Sequence, residues 1–199
     1  MAISAPVFLW ALTIHEFAHA WVAHKCGDDT ALYEGRVSLN PLVHLDPIGT
    51  ICMLFARFGW AKPVPVNPYN LRNYKRDDIL VSIAGVAANL INAIAFAIIF
   101  GLLVRFSPRS GLFLEMASFG VIGNLGLMFF NLIPIPPLDG SHVLYQMLPT
   151  EMKPGYRQIA PYGQFILIAL ILMGVTSFII GVPVAYLTSF LLQAALLGV

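Results

Sequence analysis

From Ile79 to about Val104 the chain carries no charged residue, and the run exceeds the roughly 20 apolar residues that cross a bilayer as a helix. Such a run has few folding options. Each unpaired backbone amide in hydrocarbon costs several kcal/mol, so a lipid-embedded segment closes its hydrogen bonds within a helix. Comparable runs lie at Ile3 to about His24 and at Leu112 to about Leu132. Shorter ones follow at Phe165–Ile180 and Val184–Leu197, separated by Gly181 and Pro183. Composition agrees, with 58% hydrophobic and only 11% charged residues, against roughly 25% charged in an ordinary soluble domain. The expected fold is an all-α membrane protein, a polytopic bundle of about 4–6 membrane helices with the lipid bilayer as its solvent. A single domain is expected to fill residues 1–199. The first run lacks a basic flank and holds histidine and glutamate inside its apolar stretch, so it reads as a span rather than a signal peptide.

Between Cys26 and Asp78 the pattern changes. Pro41, Pro47, Pro63, Pro65 and Pro68 exclude a continuous helix. Gly35–Leu39 and Trp60–Val66 read as short extended pieces, and Ile48–Phe58 as a re-entrant or interfacial helix too short to cross. Irregular backbone at membrane depth requires protein cover or a wet cavity. Small residues at Gly85, Ala87, Ala88 and Ala93, and again at Gly120, Gly123 and Gly126, offer close helix approach. The two cysteines, Cys26 and Cys52, lack CxxC spacing and read as packing residues. A net charge of +1 provides no basic surface, so no nucleic-acid partner is expected.

Lys25, Arg36, Arg57, Lys62, Arg72, Lys75 and Arg76 crowd the connection between the first two long runs, whereas the next connection holds only Arg105 and Arg109. The positive-inside rule makes the first connection cytoplasmic. The first helix then runs inward with His15 and His19 in its inner half, and the third long run also ends inside, just before Asp139. Histidines and carboxylate therefore reach one side of the membrane.

His15 and His19 are four residues apart, about 40° around a helix, and can present two imidazoles to one ion; Glu16 stands beside them as a general base. Together they form HExxH. A carboxylate near the centre of a membrane helix costs roughly 2.5–3.5 kcal/mol on insertion scales, so ionisable residues there mark functional sites. Catalytic zinc takes three protein ligands and keeps one open position. Asp139 is the candidate for the third, with His142 as the alternative on the same helical face. His24 falls about 140° away from His19 and reads as interfacial. His44 and Asp46 are candidate hydrogen-bond partners behind a metal-bound histidine, or else, with Asn40, Pro41 and Pro47, cap a helix starting near Ile48.

HEFAH at 15–19, SIAGVAANLINA at 82–93 and NLIPIPPLDG at 131–140 together resemble the site-2 protease family of intramembrane metalloproteases. The stretch GDDTALYEGRVSLNPLVHLDPIGT at 27–50 is similar to the compact prokaryotic branch of that family. The likeness covers most of the chain and leaves no room for PDZ or CBS modules. It implies one Zn2+ per chain held by His15, His19 and Asp139, with Glu16 as the catalytic acid/base. It also implies that Asn89 positions substrate or stabilises the reacting carbonyl, where the residue-level alternative is a hydrogen bond between helices. The family's NPxP wording appears here as Asn131, Leu132, Ile133 and Pro134, ahead of an intact LDG.

The expected activity is zinc-dependent peptide-bond hydrolysis within or near transmembrane segments of other proteins, in a prokaryotic cell membrane, with the site toward the cytoplasm. The expected partner is a transmembrane protein substrate; homo-oligomerisation stays open. Extended pieces at Gly35–Leu39 or Trp60–Val66 offer an edge for an unwound substrate, although their prolines also suit a plain surface loop. The competing classes are a membrane zinc carrier or sensor and a non-catalytic binder of client helices. Neither has a use for Glu16 beside the histidines.

Overall fold

The computed structural model describes residues 4–47, 49 and 61–198. Eight α-helices are found there: α1 Ser4–Lys25, α2 Thr30–Tyr33, α3 Tyr74–Phe106, α4 Gly111–Asn131, α5 Asp139–Met147, α6 Lys153–Ile159, α7 Gly163–Leu172 and α8 Val175–Leu197. Among the described residues there is no strand, and a lone antiparallel bridge joins Leu45 to Ala61. The protein is an all-α membrane protein. Helices α3, α4 and α8 are long and apolar enough to cross a bilayer, with mean hydropathies of 2.3, 1.6 and 1.9. Helix α1 is also long, at 22 residues, but carries His15, Glu16, His19 and His24. The re-entrant helix expected at Ile48–Phe58 lies largely outside the described residues, as do Cys52 and Trp60.

The apolar core lies where α3, α4 and α8 meet. Val86, Ala93 and Ala97 of α3 pack on Val121, Leu125 and Met128 of α4, and Val184, Leu187 and Leu191 of α8 close over them. Small α3 residues draw the helices together, as expected where lipid supplies no hydrophobic drive between helices. A methyl group built on Gly120 would overlap the ring of Phe96, so that glycine is required by the α3–α4 contact. Gly123 and Gly126 meet nothing within 4 Å and do not share that role.

Local chemistry fixes the ends that position the site. Helix α1 stops at Gly27, whose φ of +107° suits a residue without Cβ. There Asp28 N–H donates to the Ala23 carbonyl and Gly27 N–H to that of His24, a Schellman closure. Helix α3 begins with a reciprocal cap: Asn73 Oδ1 accepts from Arg76 N–H, and Asp77 Oδ2 accepts from Asn73 N–H. Prolines 134, 136 and 137 separate α4 from α5, which opens on Asp139. Gly140 then lies so close to the Leu132 and Ile133 carbonyls that any Cβ would collide with them, which gives the glycine of LDG a packing reason.

The C-terminal helices divide differently from the sequence expectation. The break falls at Gly174, in left-handed conformation with φ +73°, while Gly181 and Pro183 lie within α8. Gly174 N–H closes on the Ile171 carbonyl, ending α7 after 10 residues. Proline 183 only removes the bond to the carbonyl four residues earlier, which a helix in a membrane tolerates better than in water.

Candidate metal centre

Spacing of four residues places His15 and His19 on one face of α1, both buried, at 4% and 8% exposure. That face meets α3 at Gly85. A methyl group there would overlap His19 Nε2 together with Cε1 and Nδ1 of His15, so the imidazoles occupy the space a side chain would need. Their Nε2 atoms stand 3.0 Å apart. Asp139, at the first turn of α5, brings Oδ2 to 3.3 Å from each of them.

The outer ring nitrogens identify the inner ones. His15 Nδ1–H donates to Asn89 Oδ1 at 2.6 Å, and His19 Nδ1–H to the Val81 carbonyl at 2.7 Å. In neutral rings both Nε2 atoms therefore carry lone pairs. Asp139 Oδ2 is buried without a hydrogen-bond partner. Three acceptors converge with no donor among them, an arrangement that repels itself unless a cation sits at its centre. For zinc, whose bonds to nitrogen and oxygen are ~2.0–2.2 Å, a tetrahedron has edges of about 3.3–3.6 Å. The two 3.3 Å separations match that edge and the 3.0 Å one is a few tenths of an ångström shorter, and among the described residues this is the group of three ligand atoms that suits a metal ion.

Glu16 is on the same turn and lines a cavity of about 460 Å3 together with His15, His19 and Asp139. Its Oε2 accepts the Val64 N–H at 3.1 Å. Residues 61–66 wall one side of this cavity, held at Lys62, whose N–H donates to the His44 carbonyl and whose carbonyl accepts from the Arg36 guanidinium. Within this segment Lys62 and Val64 have committed their N–H groups and Pro63 and Pro65 have none, so few donors of the segment are open to an added strand. Gly35–Leu39 forms no strand either; the Ser38 carbonyl instead accepts from His44 Nε2.

Other sequence candidates fall in different places. Asn89 is fully buried behind His15, away from the cavity wall, with Nδ2 donating to the Ala11 carbonyl and Asn124 Oδ1. Its neighbours are helix groups, not substrate space. His44 and Asp46 do not back the histidines, because Asn89 Oδ1 and the Val81 carbonyl fill those positions. His44 is buried beneath residue 62, and Asp46 accepts the Gly49 N–H in a cap. His142 stands outside the three-atom cluster, paired through Nδ1 to Asp78 at 3.4 Å. Three polar groups of the site have no role assigned from the sequence: Asn124, Asp78 and Asn131, the last two on the cavity wall. Asn131 had a signal, since it opens the NLIPIPPLDG stretch.

The sequence profile of peptidase family M50 matches residues 107–174. The chain is 40% identical over 176 residues to the Bacillus subtilis (strain 168) protein named as a zinc metalloprotease, YwhC, covering 85% of this chain and 80% of that one. It is 30% identical over 172 residues to Rip2 of Mycobacterium tuberculosis, covering 83% of this chain, and 34% identical over 135 residues to MJ0611 of Methanocaldococcus jannaschii, covering 65%. Both also carry zinc metalloprotease names, and the chain spans 64% and 62% of their respective lengths. No solved structure matches. The chain belongs to peptidase family M50, the site-2 protease family of zinc metalloproteases.

Proposed function

We propose that this chain cleaves transmembrane segments of other membrane proteins, with His15, His19 and Asp139 holding zinc and Glu16 as acid/base. The observation that carries this reading is the convergence of three lone-pair donors beside a carboxylate in a cavity inside a helical membrane protein. When bound, zinc supplies Lewis acidity, making water acidic enough to lose a proton near neutral pH and polarising a carbonyl. The chain's own residues supply the rest. Glu16 takes one proton from the attacking water and later delivers it to the leaving amine nitrogen. Val64 N–H holds one Glu16 oxygen, leaving the other for proton transfer. Asn89 and Val81 hold the imidazoles in the tautomer that ligates.

The cavity also favours a particular form of substrate. A membrane helix of 20 residues is about 30 Å long and 10–12 Å across, far more than about 460 Å3 can admit. Only a few unwound residues fit. The substrate helix therefore opens locally before cleavage, and apolar walls formed by Leu12, Val81, Leu127 and Phe130 take its side chains. The basic connection before α3 supports a site that faces the cytoplasm, in the inner membrane of a prokaryotic cell.

The test is cleavage of a model single-span protein in liposomes by the wild type, Glu16→Gln and Asp139→Ala, with zinc measured in each. Glu16→Gln is expected to keep one zinc and lose at least 10²-fold in rate, whereas Asp139→Ala loses zinc. Undiminished cleavage by Glu16→Gln refutes the mechanism. Zinc retained by the wild type without any cleavage across a panel of single-span proteins favours a carrier or sensor.

A further inference from the structure

The proposed chemistry leaves one ionisable pair in the cavity unused. Asp78, near the start of α3, and His142, on α5, both line the wall that His15, His19, Glu16 and Asp139 also line. His142 Nδ1 faces Asp78 Oδ1 at 3.4 Å. Asp78 is itself fixed: it is 6% exposed, and its Oδ2 accepts from Gln146 Nε2 at 2.6 Å. At that distance the contact is an ion pair rather than a hydrogen bond, and a buried carboxylate beside the ring favours its charged form, which carries N–H on both nitrogens. With Nδ1 committed, Nε2 is the ring atom left for the cavity, and the side chain is 56% exposed.

Position gives that atom its meaning. Residues three apart on a helix have Cβ atoms about 5–6 Å apart on one face, so His142 stands one turn from Asp139. A peptide group brought to the metal centre would meet an imidazole edge held from behind by a buried carboxylate. The contact with Asp78 also raises the His142 pKa above its ordinary 6.5, with burial acting in the opposite sense. The charged form has an N–H on both ring nitrogens.

We propose that His142, oriented by Asp78, is a second catalytic side chain whose Nε2–H donates to the scissile carbonyl oxygen as that oxygen gains negative charge. This rests on the protease reading above. In the step concerned, the water oxygen bonds to the carbonyl carbon while the C=O π pair moves onto oxygen. The pair returns as the C–N bond breaks, and the amine departs with the proton that Glu16 took from water. His142 donates a hydrogen bond throughout and is unchanged at the end. A donor aimed at developing charge contributes more to the transition state than to bound substrate. Its removal should therefore act on kcat rather than on KM.

A different role is a clasp between α3 and α5, and two measurements separate them. His142→Leu is expected to keep one zinc per chain and a KM within about twofold, while kcat falls about 10²-fold. His142→Gln, with a neutral N–H of similar reach, should recover part of that loss. The second measurement is binding of a phosphinic peptide, whose tetrahedral anion imitates the reacting centre, against binding of the matching uncleaved peptide to the Glu16→Gln background. His142→Leu should weaken the phosphinate by the same factor as kcat/KM and leave the peptide unchanged. Loss of zinc, equal weakening of both ligands, or unchanged kcat in His142→Leu overturns the proposal. Failure of the protease reading looks different: the wild type itself then cleaves no more than Glu16→Gln.

Discussion

Which nitrogen of His15 is free for a metal is decided two helices away. Asn89 Oδ1 can face His15 because its Nδ2 is committed to the Ala11 carbonyl and Asn124 Oδ1. Asn124 in turn is fixed by donating Nδ2 to the Gly120 carbonyl, while Asn92 Nδ2 shares its oxygen. Reversing either amide would set oxygen against oxygen, so one chain of hydrogen bonds from the α4 backbone sets the His15 tautomer. Asn89→Leu leaves the buried His15 N–H without an acceptor and is expected to weaken zinc binding 10–100-fold. Asn124→Leu acts in the same direction by a smaller factor, since Asn89 keeps the Ala11 carbonyl. Competition with a chelator of known affinity measures both; unaltered zinc affinity with weakened substrate binding in Asn89→Leu would return that residue to the substrate-contact role its motif implied. The metal ligands on α1 were legible because helix geometry alone brings residues four apart together. The partners of Asn89 were not, because they depend on the rotation and register of three separate helices.

The segments that lead out of α1 and into α3 join through caps and buried polar groups, unlike the apolar contact of α3, α4 and α8. Asp28, just past the end of α1, is fully buried and accepts from Thr30 N–H and Oγ1–H, Asn70 Nδ2 and Asn67 N–H. It thereby ties α1 and α2 to the turn at Pro68–Asn70 that leads into α3, the two helices that face each other across the metal site. Burial pushes the Asp28 carboxyl up, but the hydrogen bonds from Thr30, Asn70 and Asn67 outweigh it and hold the pKa below the ordinary 3.8. A depressed carboxyl contributes stability that is complete above its unfolded pKa of about 3.9 and is lost as pH falls through the folded value. Asp28→Asn is therefore expected to be less stable at neutral pH, by about 1–3 kcal/mol, and to lose less further stability than the wild type as pH falls below ~4. Denaturation in detergent at a series of pH values checks both; parallel pH curves would remove Asp28 as the tie. The same scale explains the misplaced C-terminal break. Proline is a strong helix-breaking signal in water, whereas the chain turns at Gly174, where glycine adopts a positive φ at little cost. Sequence alone does not report φ.

At the scale of the whole molecule, the direction of the chain across the bilayer decides which compartment supplies water to the site. Positive charge in the connection before α3, against two arginines between α3 and α4, predicts Tyr69 inside and Ser107 outside. The two positions lie at opposite ends of α3, whose 33 residues extend about 50 Å at 1.5 Å per residue. One crossing therefore separates them. His19 accompanies the inner end, because its Nδ1 bonds the Val81 carbonyl within the second turn beyond the Asn73 cap region, and Asp139 follows the descending α4 to the same level. Tyr69 is 95% exposed, and Ser107 is exposed at the far turn, so each accepts a cysteine without touching the metal ligands. In a background with Cys26 and Cys52 replaced by alanine, a membrane-impermeant maleimide added to intact cells should label Ser107→Cys and spare Tyr69→Cys until the membrane is opened. The reverse pattern would put the metal site at the outer face and overturn the cytoplasmic assignment. Labelling of both in intact cells would remove α3 as a crossing helix. The expected pattern follows from charge, since lysine and arginine resist transfer across the membrane during insertion, and the metal site follows because its ligands share the inner end of α3.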